Sequence, residues 1–289
     1  MPAKRRIGGE RNATRYLIVS ADDFGLSLEV NEAVERAHRD GILQAASLMV
    51  AGPAAADAVR RARALPSLRV GLHVVTVNGR PILPAARVPA LVDRDGNLPS
   101  DLVEAGVRYF FNPRARRQLE AEIGAQFEAF GVTGLALDHV NAQNHMHVHP
   151  TVASIILKIG RRYGMRAVRV PFEPLPSPGA SVLQPWLWLM RQRLRWAKLI
   201  ANDCVFGIAD SGHMTGSRVL ELLGRIPEGV SEMYFHPATG PWPAIDPAIA
   251  DYDFAGELAA LTSPAVRAAL AASEIRPTTF GELAAADAP

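Results

Sequence analysis

The chain has little of several things that would settle its class at once. It holds one cysteine, Cys204, in 289 residues, which excludes an internal disulfide framework and fits a reducing compartment. It holds three lysines (Lys4, Lys158, Lys198) and a formal net charge of +2, too small an excess to argue for nucleic-acid binding. No apolar run approaches the roughly 20 residues of a membrane span. The opening MPAKRRIGGERNATR carries basic residues without the apolar stretch of a secretory signal, so a cytoplasmic location is expected. What is present is a 48% hydrophobic, 21% charged composition with mean hydropathy +0.05. That balance excludes disordered, collagen-like and coiled-coil classes. A chain of this length can bury roughly three quarters of the surface its unfolded form exposes.

From Tyr16 onward, short apolar runs alternate with stretches of helical periodicity. Strands are expected over Tyr16–Ser20, Ala45–Val50, Leu68–Leu72, Leu135–Val140, Ala167–Val170, Cys204–Phe206 and Glu232–Phe235, with a last extended piece near Pro277–Phe280. Helices are expected between them, among them one whose apolar residues Val30, Ala33, Val34 and Ala37 precede a stop at Gly41. Residues 76–113 read as a long excursion with little regular structure, and a proline-punctuated insertion opens at Pro171, Pro174, Pro176 and Pro178. About seven strands separated by helices predict a parallel α/β sheet, open or closed into a barrel, with chemistry at the carboxyl ends of the strands. We expect one domain over 16–285, with insertions near 76–113 and 171–202, after a flexible segment 1–15.

Polar residues suited to catalysis do follow the apolar runs. Asp22 and Asp23 come directly after the first. Two adjacent carboxylates there need a cation or hydrogen-bond donors. They could instead cap the next helix, although Ser27 is better placed for that. His73 ends the third run, His236 ends the one in EMYFHP, and Arg169 in VRVP could pair with and orient a carboxylate or simply be solvated. The segment DHVNAQNHMHVHP brings His145, His147 and His149 in alternation, which on an extended chain would face one side and suit a metal.

In this order, SADDFGLS (Ser20–Ser27), GLH (Gly71–His73), the histidine-rich segment and FHP (Phe235–Pro237) resemble the YdjC-like carbohydrate deacetylases over nearly the whole chain. Residues 20–52 and 137–151 resemble the hopanoid-biosynthesis-associated branch. The resemblance implies a deformed (β/α) barrel related to polysaccharide deacetylases. It implies a hydrolase that uses one divalent metal, Zn or Mg, to remove the acetyl group of an N-acetylated amino sugar. It assigns Asp22 as general base, His236 as general acid, and Asp23 and His73 as metal ligands. Arg169 would assist Asp22, and His147 would lie at the substrate. The branch implies N-acetylglucosaminyl bacteriohopanetetrol as substrate. The pattern departs at one position, where the third metal-ligating histidine stands as Gln143; either Gln143 ligates or His145 reaches in. Asn141 also stands where related deacetylases often have aspartate.

Gln143 keeps a rival open, a silent glycan- or glycolipid-binding protein. A metal-dependent phosphoesterase is a second, though such sites hold more carboxylates. Trp186–Ile200, read as a helix, has an apolar stripe of Trp186, Leu189, Met190, Leu194, Ala197 and Ile200. Its flanking basic residues suit either packing on the barrel or peripheral contact with an anionic membrane.

Overall fold

A computed structural model describes residues 14–174, 180–242 and 249–287. Most of the expected flexible segment 1–15 lies outside these residues, as do Pro176 and Pro178. In chain order the elements are β1 (Arg15–Phe24), α1 (Leu28–Asp40), β2 (Ala45–Leu48), α2 (Ala55–Arg63), β3 (Arg69–Val74), α3 (Leu102–Phe111), α4 (Pro113–Val132), β4 (Leu137–Ala142), α5 (Pro150–Gly160) and α6 (Ala180–Trp196). There follow β5 (Cys204–Phe206), α7 (Gly216–Leu223), β6 (Gly229–Phe235), α8 (Phe254–Thr262), α9 (Pro264–Ala272), β7 (Ile275–Pro277) and α10 (Phe280–Ala286).

All the strand pairs are parallel, in the order β4-β3-β2-β1-β6-β5, with β7 beside the start of β1. Isolated parallel bridges Val140↔Val168 and Ala167↔Ile200 continue the sheet past β4, and the Val205 amide donates to Phe172 O. The sheet therefore curls round on itself as a deformed α/β barrel. Arg166–Pro171 contributes bridges there and not the regular strand expected over Ala167–Val170. The central strand β1 is buried on both faces from Leu17 to Phe24, as its continuous apolar run requires. Ser27 caps α1 by accepting from the Val30 amide, so the preceding aspartates are free of that task.

The excursion after β3 is more ordered than its composition suggests, for it contains α3. Polar side chains of α4 hold it in place. Buried Gln126 bonds both the amide and the carbonyl of Val75, and buried Glu122 accepts from the Ile82 and Leu83 amides. Gln118 accepts from Ala90, and Tyr109 on α3 donates to Thr76 O. The last extended piece is displaced too: β7 ends at Pro277, and Phe280 begins a helix with a capping box at Thr279 and Glu282. No helix among the described residues is long and apolar enough to cross a membrane.

Candidate active site at the carboxyl ends of the strands

β1 runs further than its apolar stretch and carries Ser20, Asp22 and Asp23 within it. Strand alternation puts Ser20 and Asp22 on one face. Asp23 then takes a left-handed φ of 63°, and Gly25 a φ of 102° at a point where a Cβ would meet Met49 O at 2.9 Å. The corner is pinned from α1, because buried Asn31 accepts from the Gly25 amide and donates to Ala54 O and to Asp57. Asp57 is held in turn by Arg61.

Arg169, fully buried, is the centre of one half of the site. Its guanidinium donates to both oxygens of Asp22 and to both oxygens of Glu232, the latter at 2.9 and 2.8 Å, and also to Ser20 Oγ. Ser20 in turn donates to Glu232 at 2.7 Å. The guanidinium carbon lies 4.8 Å from the ring centre of Tyr234. Burial alone would raise the Asp22 carboxyl. The charge and hydrogen bonds of Arg169, with His73 and His236 nearby, hold it well below the usual carboxylate range. Burial depresses the guanidinium, but the two carboxylates more than offset this and raise it.

The other half is built of acceptors. Asn141 Nδ2 donates to Asp22 Oδ1 at 2.9 Å and to Ser47 Oγ at 3.0 Å, so its Oδ1 is the atom that faces His73 Nδ1, at 2.8 Å. His73 Nδ1 therefore donates to Asn141, and in the tautomer protonated there alone Nε2 is the lone pair turned toward Gln143 and Asp23. That Nε2 lies 2.9 Å from Gln143 Oε1 and 3.4 Å from Asp23 Oδ1, and Asp23 Oδ1 is buried with no hydrogen-bond partner. Three acceptor atoms thus converge, an arrangement that a divalent cation among them satisfies. The carboxylate oxygen, imidazole nitrogen and amide oxygen fit such an ion. Among the described residues no cluster of three or more His, Cys, Asp and Glu side chains is disposed to hold a metal; here the third arm is an amide.

Beneath Asn141 runs a buried line of three side chains. Asp138 accepts from His139 Nδ1 at 2.9 Å, and Ser47 Oγ lies 2.9 Å from His139 Nε2. The first contact leaves Nε2 as the acceptor of the serine proton, so Ser47 Oγ is free to accept from Asn141. Gly71 makes room for this imidazole, because a Cβ there would stand 2.5 Å from it. The order Asp–His–Ser is that of a nucleophilic triad, but the serine is fully buried and points at Asn141. Its work is to orient that amide, and through it the His73 ring.

The histidine-rich segment is not extended as expected. Residues 143–148 form a 3-10 turn with left-handed φ at Asn144 (49°) and His145 (55°), so the three alternating rings diverge. His145 Nε2 faces the Tyr234 hydroxyl at 3.4 Å, and burial with the Arg169 charge pushes its pKa down to about 3. His147, the residue expected at the substrate, is buried and directs Nε2 at Arg169 O, 3.1 Å away. His149 packs against Phe110, 6.2 Å between ring centres. His236 sits between Tyr234 and Tyr252, with Nδ1 buried and unpartnered and its amide donating to Glu257. Burial pushes the Glu257 carboxyl up.

The structure thus brings Asp22, Asp23, His73, Gln143 and Arg169 into one network, and His145 borders it through Tyr234. Glu232, Ser20, Ser47 and Tyr234 were not anticipated as parts of it, nor Asn31 and Glu257 as supports of Gly25 and His236 beside it. The usable signal was an acidic or hydroxyl residue inside an apolar strand run, as in SEMYF and AASLM.

A profile of the family described as YdjC-like protein matches residues 16–272. A carbohydrate deacetylase of Geobacillus stearothermophilus is 32% identical over 270 residues, covering 93% of this chain and 98% of that protein. One of Vibrio vulnificus (strain YJ016) is 38% identical over 147 residues, 51% of this chain and 56% of that protein. The crystal structure of a candidate cellobiose-phosphate cleavage protein from Enterococcus faecalis V583 matches with a TM-score of 0.74 at 24% identity. It covers 94% of this chain and 99% of that one, and it shows a shared fold.

Proposed function

The chain belongs to the YdjC-like family, and from that premise we propose that it is a hydrolase of a carbon–nitrogen amide bond, removing the acetyl group of an N-acetylated amino sugar. The observation that carries this reading is the pairing of a charge-fixed carboxylate, Asp22, with the acceptor trio Asp23, His73 and Gln143 at the same strand ends. The barrel over 16–285 works as one catalytic domain.

Asp22, kept ionised by Arg169, takes a proton from water as the water oxygen adds to the acetamide carbonyl carbon. His236 gives a proton to the departing sugar nitrogen, since an amine leaves badly unless protonated. The carbon–nitrogen bond breaks to give acetate and the free amino sugar. Asp23, His73 and Gln143 would hold one divalent ion, Zn or Mg, which would supply Lewis-acid polarisation of the carbonyl and of water. The Gln143 oxygen moves this donor set toward the harder ion of the two. Arg169 fixes Asp22 from one side and Asn141 from the other, so the base does not rotate away and meets the water in its ionised form.

For the substrate, the likeness of residues 20–52 and 137–151 to the hopanoid-associated branch supports N-acetylglucosaminyl bacteriohopanetetrol, met at the inner surface of the cytoplasmic membrane. Acetate release from that glycolipid and from soluble N-acetylated amino sugars tests the reading, alongside the metal content of the unaltered protein and of Gln143→His. Metal bound by the unaltered protein and acetate released are the expected results. Metal-loaded protein that releases acetate from neither substrate would overturn the reading.

A further inference from the structure

α3 carries its apolar side outward. Val103, Val107, Phe110 and Phe111, at helical spacing, are 75%, 54%, 42% and 73% exposed, and only Ala105 and Tyr109 of this helix are buried. A helix of this composition in a water-facing position normally turns such a stripe inward. On α6 the stripe expected from the sequence is also rearranged. Leu187, Met190 and Leu194 face the core, while Trp186, Trp188 and Trp196 are 43%, 63% and 78% exposed.

The two helices meet across the histidine-rich segment. Phe110 touches the His149 ring, and Val148 and Pro150 share a small apolar cleft with Trp186 and Leu189. Arg193 ties α6 to α5 by donating to Ser154 Oγ at 2.9 Å and to Pro150 O. Exposed apolar surface of this extent marks an interaction site.

The charge around it selects the occupant. Residues 101–120 hold Asp101, Glu104 and Glu120, of which Glu104 pairs with Arg108 and Glu120 with Lys158, against Arg114, Arg116 and Arg117 as well. Residues 173–203 hold Glu173 and Asp203, whose carboxylates accept backbone amides, against Arg191, Arg193, Arg195 and Lys198. A second copy docked by this patch about a two-fold axis would set basic fringe against basic fringe. An anionic bilayer takes both the apolar groups and the charge.

The patch is also tied to the segments that carry the site: Tyr109 of α3 donates to Thr76 O, three residues beyond His73, and Phe110 packs on His149, six residues beyond Gln143. We propose that the outward face of α3 and the tryptophans of α6 form a peripheral docking surface for an anionic lipid bilayer, set so that a lipid-borne sugar enters the adjacent site. Only the last clause rests on the deacetylase reading.

The test is co-sedimentation of the full chain with phosphatidylcholine vesicles, with and without phosphatidylglycerol. Expected is binding to the anionic vesicles alone, weakened by salt, with Phe111→Ser and Trp188→Ser each lowering the partition by about tenfold. Both residues are exposed, so melting temperature and acetate release from a soluble sugar should stay unchanged in these variants, while release from a vesicle-borne glycolipid falls. Absence of binding to anionic vesicles overturns the surface, as does a dimer in solution that the same variants dissociate. Vesicle binding without acetate release from any sugar would leave the surface standing and sink the deacetylase reading instead.

Discussion

Asp22 and Asp23 are adjacent carboxylates at the end of one strand, and the protein treats them in opposite ways. Asp22 accepts from Arg169 through both oxygens and from Asn141, and its charge is fixed. Asp23 Oδ1 is as deeply placed and has no hydrogen-bond donor at all. One carboxylate is held by three donors from the protein, with one acceptor position left on Oδ2, and the other is left for something that binds. Satisfying both from within would leave no cation site, and satisfying neither would leave two buried charges the fold could not tolerate.

The clamp on the held side gives the largest expected effect. Arg169→Met leaves Asp22 and Glu232 buried without their counter-charge. It should cost about 3–5 kcal/mol of stability by urea titration, with loss of turnover. A loss well under this range would mean that the guanidinium is not what makes Asp22 tolerable. Asp22→Asn should lower kcat by about 10²–10⁴-fold while metal stays bound, and turnover at the unaltered rate would remove Asp22 as base.

Asp23→Asn sharpens the contrast, because it should abolish metal binding in calorimetry yet leave the metal-free protein as stable as before, or more so. A marked fall in the metal-free melting temperature would show that Asp23 has a structural partner after all. Ser47→Ala, which removes the support of the Asn141 amide, should weaken metal binding by about 10–100-fold with little change in fold. Unchanged affinity would reduce the Asp138–His139–Ser47 line to packing.

The smallest effect concerns the outer prop of the corner. Burial raises the Asp57 carboxyl, but hydrogen bonds from Arg61 and Asn31 lower it overall. A depressed folded pKa contributes stability above the unfolded value and loses it as pH falls through the folded one. Melting temperature should therefore decline more steeply between about pH 5 and 3 in the unaltered chain than in Asp57→Asn. Parallel curves would detach Asp57 from the stability of this corner.

Much of this site was legible as position and little of it as partnership. Asp22, Asp23, His73 and His236 sit where apolar runs end, and in a parallel sheet those ends share one face. Glu232 looked like one acidic residue in an apolar run, because its counter-charge, Arg169, lies 63 residues away in sequence. α3 was hidden because it lies in a stretch punctuated by Pro, Gly and Asn, and the side chains that order that stretch, Glu122 and Gln126, lie on another helix. The alternation of His145, His147 and His149 predicted one face only on the assumption of extended backbone, which the left-handed residues Asn144 and His145 break.

By itself the sequence determined the order of strands and helices and which chemical groups stand at the strand ends, because burial and periodicity are local properties of the chain. The tertiary structure alone decided which of two neighbouring aspartates is held ionised and which waits unpartnered, which nitrogen of His73 faces Gln143, and which side of α3 meets solvent. Each of those outcomes is set by hydrogen bonds and contacts from segments remote in sequence: Asn141 reaches Asp22 across 119 positions, Arg169 across 147, and Glu232 reaches Ser20 across 212.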